Sequence, residues 1–312
     1  MPLRHNLLAL AIATIWGLTF VSIKISLQTI PPFALSGWRF FLAAIPLVFF
    51  VGRPQVAWRW LIAYGLFISI GQFVVLFIAL NLGFPAGLMS LVVQTQVFFT
   101  IGLAVTFFKE RVQRWQLIGA VIAGCGLMVI GATKMQDGSA LGVAFFLVLL
   151  AALFWGAGNT VAKHVAREAA RLTPSQKVDP MNFIAWTSIA SVPALLLISV
   201  LSEPAGALLL PFTKGSLSLW FHLCVLAYAA QVFGYGLWSN LLTRYPASAV
   251  SPFALWVPVA GMSATAVVFN ESLSQWQLLG ALVVLIGLAM AVLMPALLAR
   301  RMGGANPNSP QK

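Results

Sequence analysis

Two cations and a few amides stand inside long apolar runs, and these are the groups able to do chemistry in this chain. Lys24 lies near one end of its run, and Arg39 lies some six residues inside the next. Charge at membrane depth is costly, so each is a candidate for a ligand pathway. One reading is that one or both attract a carboxylate. The other is that Lys24 snorkels to the interface and Arg39 caps carbonyls of a neighbouring helix. Gln72, Gln94, Gln96, Asn159 and Asn240 add amides, and Tyr235 adds a phenol. An amide offers a donor and an acceptor together, which suits a zwitterion. The plainer reading is interhelical hydrogen bonding, worth about 0.6 kcal/mol each. Gln94 and Gln96 are two apart, about 200° around a helix. They cannot both face one cavity squarely, and Gln94 is preferred.

Of 11 tryptophans, Trp58, Trp60, Trp115, Trp220 and Trp276 stand near run ends and read as interfacial anchors. Trp16, Trp155, Trp238 and Trp256 lie deeper. They line a cavity, or they pack or face lipid. Pro258 falls in mid-run, where proline frees a carbonyl and bends a helix. Its repeat position is Val97, so the break is expected in one half only. Gly234 and Gly236 make a second soft point. Lys24, Gly234, Gly236 and Pro258 are therefore read as gating or hinge positions.

None of the six acidic residues lies in an apolar run. Glu110 and Glu271 stand just outside runs, on opposite sides, and read as caps of the following helix or as partners of nearby charges. A buried carboxylate proton relay is not available. Passage of any solute would then be facilitated, or coupled to protons through a group not named by the sequence. The motif HExxH is absent, and His5, His164 and His222 are too scattered for a metal site. Aspartyl chemistry lacks its two acids. No cofactor, metal or enzymatic activity is expected. Two cysteines, Cys125 and Cys224, exclude a disulfide framework.

The groups above need elements to hold them. The chain has 312 residues, 61% hydrophobic and 8% charged, with a mean hydropathy of +0.96. A soluble domain carries about 25% charged residues, so lipid is the solvent. Ten helical spans are predicted, with short loops. They are about Leu7 to Leu27, Phe33 to Val51, Trp60 to Leu80, Ala86 to Phe108 and Gln116 to Ala132. The second five are Leu141 to Ala162, Asn182 to Leu201, Leu219 to Leu242, Ala247 to Phe269 and Gln277 to Leu297. The longest loop, His164 to Met181, and a disordered tail from Gly303 are placed in the cytoplasm.

The net charge of +12 would suggest nucleic acid in a soluble protein. Here the basic residues form no stripe, and the positive-inside rule accounts for them. Of the 18 Lys and Arg residues, 14 fall at the termini and in the even-numbered loops, against Lys134 and Lys214 in the odd ones. Both termini are expected in the cytoplasm. The first run, with Arg4 before it, mimics a signal peptide, but it recurs inside the chain.

Shifted by 161 residues, the second half overlays the first. Pro85-Ala86 meets Pro246-Ala247, Glu110 meets Glu271, and Trp115-Gln116-Leu117 meets Trp276-Gln277-Leu278. A smaller shift relates Trp16-Gly17 to Trp155-Gly156 and Lys24 to Lys163. Each unit has five spans. An odd number inverts the second copy in the membrane, an architecture of many transporters. The expected units are residues 1–137 and 138–302, with 303–312 as a tail. Small residues four apart, Ala120 with Gly124 and Gly287 with Ala291, permit close helix packing. Oligomeric state is not legible.

With these stretches the chain resembles the drug/metabolite transporter superfamily and its EamA family. WGLTFVSIK at Trp16 to Lys24, PFALSGWRF at Pro32 to Phe40 and the run from Gly83 to Arg111 carry the resemblance. So do WGAGNTVAK at Trp155 to Lys163 and GYGLWSNLLTRY at Gly234 to Tyr245. The resemblance implies a bacterial inner-membrane exporter of small amino acids or their metabolites, such as O-acetylserine and cysteine, working by alternating access. Other small metabolites or drugs are the alternative cargo. A passive pore is the alternative mechanism, though nothing resembles a filter loop.

Overall fold

The structure, a computed structural model, describes residues 1–172, 179–245 and 247–303. Ten helices in it are long and apolar enough to cross a membrane. They are α1 (Leu3–Ser26), α2 (Pro32–Phe50), α3 (Trp58–Asn81), α4 (Ala86–Phe108) and α5 (Arg114–Gln136). Then come α6 (Ser139–Ala169), α7 (Pro180–Ser202), α8 (Leu217–Leu242), α9 (Ser251–Phe269) and α10 (Gln275–Pro295). Each matches a predicted span. Helices satisfy their own backbone polar groups, which is the condition for crossing lipid.

One boundary moves substantially. The α6 helix continues past the predicted end at Ala162, with helical backbone to Leu172. The extension, KHVAREAARL, is rich in strong helix formers, and His164 faces Glu168 one turn on, at 3.6 Å. The rest of the predicted long loop falls partly on residues 173–178, outside the described residues; the last helix continues past Leu297 to Gly303, where the tail was predicted to begin, and 304–312 also lie outside the described residues.

Local chemistry explains the helix ends. Asp179 accepts from the amides of Met181 and Asn182 at the start of α7. Gln113 and Gln116 form a reciprocal capping box on α5. At their far ends α4 and α9 stop on left-handed residues, Lys109 with φ 56° and Asn270 with φ 51°. These two positions are 161 apart in the sequence. Left-handed backbone leaves the last carbonyls of a helix to be capped and turns the chain out of it.

The principal packings are unchanged when each helix is exchanged for the one five places along. Helix α5 packs on α10, α2 on α7 and α4 on α9. The α1–α9 contact has its counterpart in α6–α4, α8–α1 in α3–α6, and α2–α8 in α7–α3.

Glycine makes the closest crossings possible. A Cβ on Gly17 would stand 2.7 Å from the Val257 carbonyl and 2.8 Å from the Gly261 amide of α9. A Cβ on Gly156 would stand 2.9 Å from Phe99 Cβ and 3.0 Å from the Thr100 amide of α4. The two Trp-Gly pairs thus hold matching crossings. Helices α5 and α10 meet on Gly119, Gly126, Gly280 and Gly287. Gly124, expected to serve that packing, faces open space. Gly17→Val and Gly156→Val are each expected to lower stability by about 1–3 kcal/mol, the usual cost of overpacking. Gly124→Ala is expected to leave it unchanged or raise it by up to about 1 kcal/mol. Thermal unfolding of the purified protein in detergent checks all three.

Candidate functional site

Four interruptions of regular α-helix shape the interior. The turns of α3 widen to a π-helix over Leu66–Val74, and those of α8 over Val225–Gly234. Helix α4 tightens to 3₁₀ geometry over Val93–Thr95, and α9 over Ser251–Leu255. They come in matching pairs, one of each pair per half. The break in α9 is therefore not one-sided, as Pro258 alone had predicted. The first half makes its 3₁₀ turn without a proline, where Thr95 Oγ1 donates to the Val92 carbonyl at 2.7 Å.

All four interruptions border one cavity of about 850 Å³. Its wall draws on both halves. It extends to Gln113 and Gln116 at the start of α5, Leu242 at the end of α8, and Val292 and Pro295 at the end of α10. Those positions belong to the face of the bundle where α1 begins and α10 ends, and Gln113 and Leu242 are exposed there. Toward the other face the lining ends at Ile23 on α1 and Val93 on α4.

Among the described residues of that lining, Arg39 is the charged one. It is 2% exposed, and its guanidinium stacks 3.9 Å from the centre of the Phe73 ring. Nη2 donates to Gln231 Oε1 at 3.2 Å, while Nε and Nη1 have no partner. Gln72, next to Phe73, also lines the cavity, and its Oε1 is buried without a partner. Gln72 and Gln231 are each the seventh residue of a π-segment. Sequence reasoning missed Gln231, though its place in the repeat is a signal that finds it.

Gln94 and Gln96 both line the cavity, contrary to the geometric argument against the pair. A regular helix sets residues two apart about 160° from each other. The intervening 3₁₀ turn, with 3.0 residues per turn, narrows this to about 120°. Gln94 Nε2 donates to the Ala254 carbonyl at 3.0 Å, the group that Pro258 deprives of its helical partner. Gln96 Oε1 accepts from Asn159 Nδ2 at 2.9 Å and from Thr100 at 3.1 Å. Without the Gln94 amide, the Ala254 carbonyl lacks a donor four residues on only while Pro258 is present. A cycle of Gln94→Leu with Pro258→Ala is expected to show a coupling of about 1 kcal/mol in unfolding free energy. Additive single effects would refute the link.

Trp16, Trp155 and Trp238 line the cavity, as does Tyr235. Trp16 stacks at 5.0 Å on Tyr235 and 5.1 Å on Trp238, and its Nε1 donates to the Ala230 carbonyl at 3.0 Å. Gly234 leaves room for this indole, since a Cβ would come 2.7 Å from Trp16 Nε1. Gly236 makes similar room for Met181. Tyr64 lines the site and was not foreseen. Trp256 is corrected. It is 41% exposed, outside the cavity, and donates to Thr14 Oγ1 at 3.0 Å. Asn240 lies on α8 but is not in the lining.

Lys24 is not in the lining either. It pairs with Glu271 at 2.5 Å, and the same carboxylate accepts from the amides of Ala86 and Gly87, both at 3.1 Å. Glu271 thus caps α4, not the helix that follows it. Its repeat mate Glu110 pairs with Lys163 at 2.5 Å and also with Arg167. Each lysine takes a carboxylate from the other half. The hydrogen bond from Lys163, with its charge and that of Arg167, holds the Glu110 carboxyl below the ordinary range despite some desolvation. For Glu271, partial burial pushes upward, but Lys24 and the two α4 amides outweigh it, and the net shift is downward.

Ten helices able to cross a membrane, around one largely apolar cavity that carries a few polar groups, define a multi-pass membrane protein with an internal site. The sequence matches the EamA-like transporter family twice, over residues 3–132 and 142–293. The chain belongs to that family. It is 39% identical over 292 residues to a probable amino-acid metabolite efflux pump of Salmonella typhimurium (strain LT2), covering 94% of this chain and 96% of the relative. A probable amino-acid metabolite efflux pump of Escherichia coli (strain K12) is 36% identical with the same coverage. A crystal structure of 19% identity superposes with a TM-score of 0.65, over 96% of this chain and 98% of the other. That likeness concerns the fold.

Proposed function

We propose that the protein exports small amino acids or their metabolites across a bacterial inner membrane by alternating access. The observation that carries this is the central cavity, walled by both halves and extending to the face where α1 begins and α10 ends. Arg39 is its carboxylate anchor. The excess of basic residues at the termini and even loops supports a cytoplasmic placement of that face. The units 1–137 and 138–302 are then inverted copies, so each half can take the conformation of the other and move the opening across. The exchange of packings, paired interruptions and swapped lysine–carboxylate pairs support that symmetry. The π and 3₁₀ turns of α8 and α9, near Gly234, Gly236 and Pro258, are the positions that would absorb the motion. O-acetylserine and cysteine, the cargo the family resemblance implies, both carry a carboxylate for Arg39.

The test is counterflow in proteoliposomes. Saturable exchange of labelled cysteine against unlabelled substrate is expected of a carrier. Flux linear in concentration, with no trans-stimulation, would mean a pore and refute the proposal.

A further inference from the structure

We propose that the site selects net monoanions: carboxylates whose amino group is acylated, or replaced by a hydroxyl, bound in preference to the parent zwitterions. This rests on the reading of the cavity as the transport site and names its substrate class.

Arg39 brings one buried positive charge to the cavity, with Nε and Nη1 unpartnered. Among the described residues, none of the lining is acidic. Each of the six acids is engaged elsewhere. Glu110 and Glu271 hold the lysine pairs, Asp137 holds Lys134 and Glu168 faces His164. Asp179 caps α7, and Glu203 accepts from the amides of Phe33 and Ala34 at the start of α2. A zwitterion on Arg39 leaves the site with its positive charge uncompensated. A monoanion neutralises it, and a buried charge without a partner is costly.

Helix irregularities often supply carbonyls that take an ammonium. Here two carbonyls at the interruptions already hold side-chain donors. Ala230 accepts from Trp16 Nε1 and Ala254 from Gln94 Nε2. Gln96 Oε1 is taken by Asn159 and Thr100. Gln72, next in sequence to the Phe73 on which Arg39 stacks, has a buried Oε1 without a partner, a neutral group that one N–H or O–H satisfies. A carboxylate carrying an acylamino or hydroxyl donor fits Arg39 and Gln72 together.

The test uses the wild-type protein in proteoliposomes, comparing serine with N-acetylserine and cysteine with N-acetylcysteine. Each N-acetyl compound is expected to saturate at a concentration at least about ten-fold lower than its parent. Its efflux should speed up under an interior-negative potential set with potassium and valinomycin, while serine efflux should not. Arg39→Gln should remove the preference. Equal or tighter binding of serine and cysteine would overturn the inference and leave the export reading standing. If none of the four moves saturably, the export reading falls and this inference with it.

Discussion

Arg39→Gln is expected to cut transport efficiency by about 10- to 100-fold, with the folded protein retained. Hydrogen bonds to a charged group are worth about 1.5–3 kcal/mol, and each 1.4 kcal/mol is about a factor of ten. The loss should appear mainly in the substrate concentration for half-maximal flux, because the guanidinium acts on binding. Arg39 stacks on Phe73 and bonds Gln231, so glutamine retains part of its volume while losing the charge and the fork. Arg39→Lys is expected to recover little, since an ammonium cannot offer two parallel donors to a carboxylate. Counterflow with labelled substrate gives the measurement, and size-exclusion chromatography shows that the variant is folded. Wild-type kinetics in Arg39→Gln would remove Arg39 from the site.

The second large effect is an inequality between two glutamates that the repeat makes equivalent. Glu271→Ala is expected to cost about 2–4 kcal/mol, because the carboxylate holds Lys24 and two amides of α4 at 11% side-chain exposure. Glu110→Ala is expected to cost at most about 1 kcal/mol, since its pairs stand at the surface with the carboxylate 36% exposed. Thermal unfolding in detergent ranks the two, and faster hydrogen exchange at Ala86 and Gly87 should accompany Glu271→Ala alone. The pH dependence has a defined sign. The folded Glu271 carboxyl lies below its ordinary value, so its stabilisation is present above the unfolded value of about 4.3. It is lost as pH falls through the lower folded value. Glu271→Gln should lack that acid-side loss. Equal destabilisation by the two alanine variants would refute the contrast.

Much of the fold was legible because lipid imposes simple rules. Long apolar runs must be helices, and an internal shift of 161 residues shows in residue identities such as Glu110 and Glu271. Arg39, Gln72, Trp16, Trp155, Asn159 and Tyr235 were legible as cavity residues because a polar or amphipathic group inside an apolar run needs a reason. Trp256 failed the same rule, because its indole reaches Thr14 on the outer surface instead. Gln96 is not legible in that way, because the 3₁₀ turn over Val93–Thr95 departs from the regular helix that the sequence predicts. Pro258 announces a break in α9, and nothing comparable marks the one in α4.

Composition and repetition alone determine a ten-helix membrane protein of duplicated plan, because burial in hydrocarbon depends on residue type summed over a run. Only the packed bundle decides that Glu271 caps α4, that Gln94 occupies the carbonyl freed by Pro258, and that Gln231 holds Arg39. Those are contacts between helices distant in sequence, set by distances of about three ångströms that no local pattern encodes.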